Sequence, residues 1–574
     1  MYQGAYKETP GIGRENGRKG LWPVCIHFSV VALMLTAEVV VSPSRIAGML
    51  PAAAARLGAR QSTSELLVPL ILYGVSLARL ALAAAAVLYV FTVLIWPRLP
   101  NEPFVPRHGT GPRSIRRELW VLLALLATAT VLRLGNITAS FWWDELATVV
   151  RLVRRGVPTI VALSANGNNH ILNSLLALGM TKVFGESEWA VRIPALLFGI
   201  LTPPVVYWLA LRVFSRSAAL GLGLLFAVHF RCVVHSAEAR GYSGSLLFSI
   251  VSCFLFCSLW SGFRRPIAIA YVLSVAAASG FLFLSIFVPI AHGIGAGTWA
   301  LYAFGTRKRR DPLPPRLPLL LASVWGALAG LMLNAIQIPQ LVDYSRATHD
   351  HIRMGWMLLS SISLYLSGGS HVAVACLVLL CALAGWMRRY DDIGLLVSLL
   401  FPGLFIISAF AFARVPASPR LFSILILPVL VGVVLFIQSV WMNGNALTKA
   451  ISGAMVVLLI ADSVPVFKKY YAIGNPPLRQ VASRIGNRPI WLVGAQSESN
   501  RYYFPHAVEF RSEQEAAASG TRAPGFVLTT VKCVDIRTPV QLESAGFHRV
   551  QELPDWTISE PSTNWHPCYV LLAR

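Results

Sequence analysis

Long apolar runs joined by short polar connections fill the chain as far as residue 465, after which the pattern changes. A bilayer-crossing helix needs about twenty apolar residues. Runs of that kind lie at 21–42, 67–96, 118–135, 190–211, 217–234, 243–260, 266–283, 287–304, 317–338, 371–387, 393–412, 420–440 and 449–465. The pattern predicts about thirteen transmembrane helices, although 266–304 also reads as one long helix followed by a re-entrant piece. From about 466 onward, short β-like runs at Pro489–Gly494, Gly525–Val531 and Cys568–Leu572 alternate with helix-like stretches at 512–519 and 540–545. Such alternation predicts a small α/β domain, and the segment is long enough to bury a core of its own. A Pro- and Arg-rich linker at 97–117 divides the rest. The expected organisation is an N-terminal extension with two helices (1–117), a transmembrane module (118–465) and a tail domain (466–574).

Composition turns this pattern into a class. Of 574 residues, 55% are hydrophobic and 13% charged, and the mean hydropathy is +0.61. Soluble domains carry about a quarter charged residues, so the solvent for most of this chain is lipid. The net charge of +23 would attract nucleic acid in a soluble protein. Here it follows the positive-inside rule instead, and no nucleic-acid partner is expected. Arg98, Arg107, Arg113, Arg116 and Arg117, then Arg212 and Arg216, Arg264 and Arg265, Arg307 to Arg310, and Arg388 and Arg389 all fall in alternate connections. With those connections inside, the N-terminus is cytoplasmic. The loops 136–189 and 339–370 and the tail then lie outside. The basic, polar N-terminal stretch predicts a retained signal-anchor rather than a cleaved signal peptide. Cys533 and Cys568 are the cysteines of the tail, and their pairing stays open if the tail meets an oxidising compartment.

The acids then become informative. Between 119 and 465 they are Asp144, Glu145, Glu186, Glu188, Glu238, Asp311, Asp343, Asp350, Asp391, Asp392 and Asp462. Asp311, Asp391 and Asp392 belong to the basic inner connections, and the remainder gather at the outer face. Ionisable groups near lipid are costly and tend to be functional.

Four polar clusters stand on that face. Ser140-Phe141-Trp142-Trp143-Asp144-Glu145 follows the third span. A partly desolvated carboxylate there can act as a general base on a hydroxyl, while Asp144 reads equally as the cap of a short interfacial helix. Adjacent acids on a helix cannot share a face, so only one of the pair can meet a reaction centre. Asn166 to His170 offers Asn169 and His170 to a sugar or phosphate, or simply makes a turn. His235 to Tyr242 contains Glu238 and Arg240, which can pair with each other, and Arg is suited to gripping phosphate. Arg420 opens the twelfth span, where it can also snorkel to lipid headgroups.

These clusters, in this order, resemble the GT-C glycosyltransferases of the protein O-mannosyltransferase and lipid A aminoarabinose transferase type. Ser140 to Glu145 is similar to the first outer loop of that family. His170-Ile171-Leu172-Asn173-Ser174 occupies the place of its His/Lys-Pro-Pro-Leu-Tyr segment, without either proline. Phe184 to Ala195 resembles Phe-Gly-x-x-Glu-x-x-x-Arg-Leu-Pro-Ser. His235 to Tyr242 resembles Ser-Gln-Glu-Ala-Arg-x-Tyr, with Ala237 where the family has Gln. Pro419-Arg420-Leu421-Phe422 with Pro428 resembles its late Arg-Tyr-x-x-Pro. The resemblance spans about 118–440.

The resemblance implies a polytopic α-helical membrane enzyme of the plasma (inner) membrane with a small extracytoplasmic α/β domain. It would move a sugar from a polyprenyl-phosphate donor to the hydroxyl of a lipid, glycan or protein acceptor, with inversion. Asp144 would be the base, with Glu145 beside it in the catalytic pair, and Glu145 or Glu238 holding its geometry. Asn169, His170, Glu238, Arg240, Tyr242 and Arg420 would bind substrate, the two arginines at the departing lipid phosphate. Membrane lipids are its surroundings. The resemblance leaves room for a divalent metal near the carboxylates, but no ligand set is legible. The alternatives are a lipid-linked glycan polymerase or ligase, or a lipid or solute transporter, which would instead show charges at mid-membrane depth and two related halves.

Overall fold

Every apolar run predicted from residue 67 onward is helical in the computed structural model. The structure describes residues 61–95, 115–164, 169–305, 317–347, 356–413, 418–493, 502–510, 512–518, 524–532, 547–553 and 567–573, with a few single positions besides. The expected span at 21–42, most of the linker 97–117 and Cys533 lie outside the described residues.

The helices in chain order are α1 (Gln61–Ile95), α2 (Ile115–Leu134), α3 (Trp143–Arg151), α4 (Ile171–Phe184), α5 (Glu188–Ala210), α6 (Arg216–Val228), α7 (Phe230–Ser236), α8 (Tyr242–Ser261), α9 (Arg265–Phe281), α10 (Phe287–Gly305), α11 (Leu317–Asn334) and α12 (Ile338–Ala347). They continue as α13 (Trp356–Ser367), α14 (Val372–Met387), α15 (Phe401–Ala413), α16 (Ile426–Asn443), α17 (Ala446–Ile473) and α18 (Leu478–Ile485). Eight helices among the described residues are long and apolar enough to cross a membrane, or up to ten if two bent pairs count as spans. The expected number was about thirteen. The difference has causes beyond the undescribed 21–42: α9 is only 17 residues long, and α2 carries Arg116, Arg117, Glu118 and Arg133. The chain is a multi-pass membrane protein.

The bent pairs show how lipid shapes the backbone. Where α6 gives way to α7 at a 55° bend, helix carbonyls lose their partners, and in lipid each such loss costs several kcal/mol. Arg133, fully buried, supplies them: Nη1 donates to Ala227 O at 2.9 Å and Nη2 to Phe226 O at 3.2 Å. At the second bend, Asp462 of α17 reaches across to the start of α14 and accepts from Ser370 N at 3.1 Å and His371 N at 3.2 Å. A side-chain acceptor from another helix thus caps α14.

Two helices of the bundle come to backbone contact where α14 crosses α16. A Cβ on Gly385 would lie 1.9 Å from Gly432 O, and one on Gly432 would lie 2.5 Å from Ala382 O. Small residues let membrane helices approach to backbone contact. Trp386 Nε1 then donates to Pro428 O at 2.8 Å across the crossing.

The tail forms a five-stranded mixed sheet, β2-β1-β3-β5-β4, from β1 (Ile490–Val493), β2 (Val508–Phe510), β3 (Phe526–Lys532), β4 (His548–Leu553) and β5 (Pro567–Ala573). β1 runs parallel to β2 and β3, whereas β5 is antiparallel to β3 and β4. The three strands predicted from sequence are the three interior ones. The helix-like stretch at 512–519 is helical over Glu513–Ala518, and that at 540–545 falls mostly outside the described residues.

A side chain at the α14–α16 crossing must push backbone apart. Gly385→Val is expected to cost about 1–3 kcal/mol or more, read as a lower Tm and a reduced monodisperse yield in detergent. Gly453→Ala, where a Cβ meets nothing within 4 Å, should change neither.

Candidate active site

The site begins with a short helix and a decision about which of two acids turns inward. α3 starts at Trp143, and the Glu145 carboxylate folds back so that Oε2 accepts the Trp142 N–H at 3.2 Å. Glu145, not Asp144, therefore satisfies the helix start. Glu145 is fully buried, and its carboxylate meets the Arg192 guanidinium side by side, with Nε–Oε1 2.7 Å and Nη2–Oε2 2.6 Å. Its Oε1 also accepts the Ala239 N–H at 2.7 Å, which ties the His235–Tyr242 turn to α3.

Arg192, on α5, is equally buried. It donates to Ile137 O at 3.0 Å, Ala139 O at 2.5 Å and Ser140 O at 3.1 Å. It lies 5.3 Å from the centre of the Phe141 ring. The loop entering α3 is thus threaded over one guanidinium. Sequence reasoning quoted Arg192 within a motif and gave it no role; its place in the Phe-Gly-x-x-Glu-x-x-x-Arg pattern was the signal.

With Glu145 fixed inward, the next residue back around the helix faces elsewhere. Asp144 keeps 31% of its side chain exposed. Its Oδ2 lies 3.2 Å from Arg420 Nη1 and 3.8 Å from Arg240 Nη2. Arg420 stacks over Trp142, 4.5 Å from the ring centre, and Arg240 over Tyr242 at 5.7 Å. Residues separated by 276 positions in sequence so form one carboxylate–diguanidinium cluster. Tyr344 of α12 stands near it: burial, and then the Asp144 carboxylate, push its phenol up from the ordinary value.

Glu238 stands beside that cluster. Its Oε2 accepts from His235 Nδ1 at 3.1 Å, and His235 Nε2 meets Tyr365 Oη at 2.6 Å. Burial alone would raise the Glu238 carboxyl. The His235 hydrogen bond and the charges of Arg420 and Arg240 outweigh it and hold the group below the ordinary value. The Glu238 carboxylate meets His235, and the Arg240 guanidinium reaches Asp144. Tyr242 packs between two imidazoles, 5.1 Å from His170 and 4.7 Å from His235.

Two predicted ligands are placed differently. Asn169 is occupied by its own loop: Nδ2 donates to Ile160 O at 2.5 Å and Leu163 O at 2.7 Å, and Oδ1 accepts from Ser174 Oγ at 3.1 Å. It is a staple for the loop before α4 and not a free contact. His170 is buried, with Nδ1 2.7 Å from Phe281 O. A carbonyl only accepts, so Nδ1 carries the proton. Burial, and then the charge of Arg240, hold the imidazole well below its usual range; Nε2 is an acceptor, unsuited to phosphate. Among the described residues, no group of three or more His, Cys, Asp or Glu side chains comes together as a metal-ligand set.

The fold is of the GT-C type. Residues 170–329 match the family model of dolichyl-phosphate-mannose-protein mannosyltransferase, a stretch that holds His170, Glu238, Arg240 and Tyr242 and begins after Asp144. The fold matches the apo structure of ArnT from Cupriavidus metallidurans with a TM-score of 0.50 at 13% identity, covering 80% of this chain and 98% of that one. The same protein bound to undecaprenyl phosphate matches with a TM-score of 0.48 at 14% identity over 80% and 98%. The Archaeoglobus fulgidus oligosaccharyltransferase tethered to an acceptor peptide matches at 0.43 and 11% over 70% and 64%. No curated protein sequence matches significantly.

Removing Arg192 would strand a buried carboxylate, which costs about 3–5 kcal/mol. Arg192→Met should lower Tm sharply in detergent, and adding Glu145→Gln should recover part of the loss. Equal Tm values for the single and double variants would contradict the pairing.

Proposed function

We propose that this chain is an integral membrane glycosyltransferase that moves a sugar from a polyprenyl-phosphate donor to an acceptor hydroxyl, with inversion. The observation that carries the proposal is the Asp144 carboxylate held between Arg420 and Arg240. The family match over 170–329 and the shared fold support the reaction class.

The chemistry follows from the charges. Two guanidiniums converge on one partly exposed carboxylate, and their planar forks of donors suit a phosphate. When the donor binds, its phosphate takes donors from Arg240 and Arg420, and the Asp144 carboxylate is released toward the acceptor. Asp144 removes the acceptor hydroxyl proton as the oxygen attacks the anomeric carbon from the face opposite the phosphate. The bond from that carbon to the phosphate oxygen breaks, and the lipid phosphate leaves with both bonding electrons. The arginines stabilise that departing charge, a contribution that is commonly the largest in such catalysis. Glu145 positions Asp144 and takes no proton, because its oxygens are committed to Arg192, Ala239 and Trp142. Tyr242 and neutral His170 border the sugar, and Glu238 orders the turn that carries Arg240. The alternation of basic connections supports an inner-membrane orientation with a cytoplasmic N-terminus and an extracytoplasmic site and tail.

A positioned base contributes about 10²–10⁴-fold. Asp144→Asn is therefore expected to lower transfer from a panel of polyprenyl-phosphate sugars by that factor while still binding polyprenyl phosphate. Undiminished transfer by this variant would remove Asp144 as the base.

A further inference from the structure

We propose that the C-terminal tail is a working part of the catalytic site, with Tyr503 and Arg479 as positioning residues for the Asp144 loop. The loop from Asn136 to Trp142 is held on two sides. The bundle holds it through Arg192, as described above. The other side is held by residues more than three hundred positions later in the chain.

Tyr503 Oη accepts the Phe141 N–H at 2.8 Å and donates to Glu188 Oε1 at 2.8 Å. Asn475 Nδ2 donates to Ser140 O at 2.9 Å. Ser140 Oγ accepts the Arg479 N–H at 3.2 Å, and the Arg479 side chain donates through Nε to Glu188 Oε1 at 2.9 Å, with a further contact to Oε2. Asn136 Nδ2 donates to Tyr470 O at 2.8 Å. Glu188 is the first residue of α5, which also carries Arg192. The tail and the bundle therefore grip the loop through the same helix.

Packing reinforces these bonds. Phe141, Leu146 and Val149 of the loop and α3 share one buried apolar cluster with Leu478, Val481 and Ile485 of α18, Leu492 of β1 and Phe504. The Tyr502 ring meets Phe141 edge-on at 5.4 Å, and Arg154, just beyond α3, lies 4.8 Å from the centre of the Tyr502 ring. A lone tail domain tethered to the bundle would show none of this interpenetration. Phe141 is three residues before Asp144. A shift of its backbone N–H moves the start of α3, and with it the separation of Asp144 from Arg420 and Arg240. Catalysis is sensitive to such shifts, since misplacement by about 1 Å can cost on the order of a hundredfold.

The activity arm of the test rests on the reading of Asp144 as the base, whereas the exchange arm does not. In the full-length protein in detergent, Tyr503→Phe keeps the ring and removes both hydrogen bonds. Arg479→Gln serves as the second variant, and Phe510→Leu, in the separate apolar cluster of the sheet, is the control for general destabilisation. Hydrogen–deuterium exchange of peptides covering 139–146 should accelerate about fivefold to thirtyfold in Tyr503→Phe, the scale of one lost hydrogen bond, and by less in Arg479→Gln, which keeps the N–H bond to Ser140 and loosens only the Glu188 support. It should be unchanged in Phe510→Leu, while peptides of β3 and β5 should stay protected as in the parent in Tyr503→Phe and Arg479→Gln. Transfer kcat should fall with the donor KM unmoved. Unchanged exchange at 139–146 in both Tyr503→Phe and Arg479→Gln would overturn the proposal. Faster exchange with kcat unmoved would leave the tail's hold on the loop in place but overturn its part in catalysis, whereas loss of transfer in Asp144→Asn tests the base separately.

Discussion

The buried pair of Glu145 and Arg192 is the constraint on which the rest of the site depends. Taking two charges out of water costs several kcal/mol per ion and is repaid only if geometry is good and every remaining donor and acceptor is used. That condition is met here. The two side chains meet in parallel, Glu145 also accepts from Trp142 and Ala239, and Arg192 spends its other donors on the carbonyls of Ile137, Ala139 and Ser140. One interaction therefore joins α3, α5, the loop between α2 and α3, and the turn between α7 and α8. Because Glu145 must face inward, its neighbour Asp144 cannot, and the carboxylate left over is the one that meets Arg240 and Arg420.

The same accounting governs the interior of the bundle. Lipid offers no hydrogen bonds, so each departure from a regular helix needs a side chain to answer it. Arg133 answers the break between α6 and α7 and Asp462 the start of α14. A third case is His292 on α10. Its Nε2 lies 3.0 Å from Ser398 O, inside the widened helical turn Leu396–Leu400, with Tyr271 Oη 2.9 Å from Nδ1 and Phe256 stacked at 4.0 Å. These three polar residues within or beside apolar spans are repairs to the backbone and stand apart from the candidate site.

The legible part of the site was the part carried by local motifs. Resemblance singled out Asp144, Arg240 and Arg420, and the structure brings those three together. Asn169 read as a ligand because its neighbours are polar, yet its amide is consumed within ten residues of chain. Glu145 read as a second catalytic acid because it adjoins Asp144, and its burial was invisible without its partner on α5. Nothing near Tyr503 in sequence announces that its hydroxyl holds Phe141, 362 residues away.

Hydropathy alone determined the class of protein, the long apolar helices from residue 67 onward and the interior strands β1, β3 and β5. Burial in lipid or in a sheet interior favours apolar side chains over long runs, and such runs are visible in one dimension. The edge strands β2 and β4, reading Val-Glu-Phe and His-Arg-Val-Gln-Glu-Leu, escaped notice because an edge is paired on one side only and is commonly kept polar. Tertiary structure alone decided which acid meets Arg240 and Arg420, which arginine is scaffold and how the tail holds the loop before α3. Those outcomes depend on partners 47 to 362 residues apart. The free energy of a buried charge is set by the donors around it, and no local pattern of residues records where they come from.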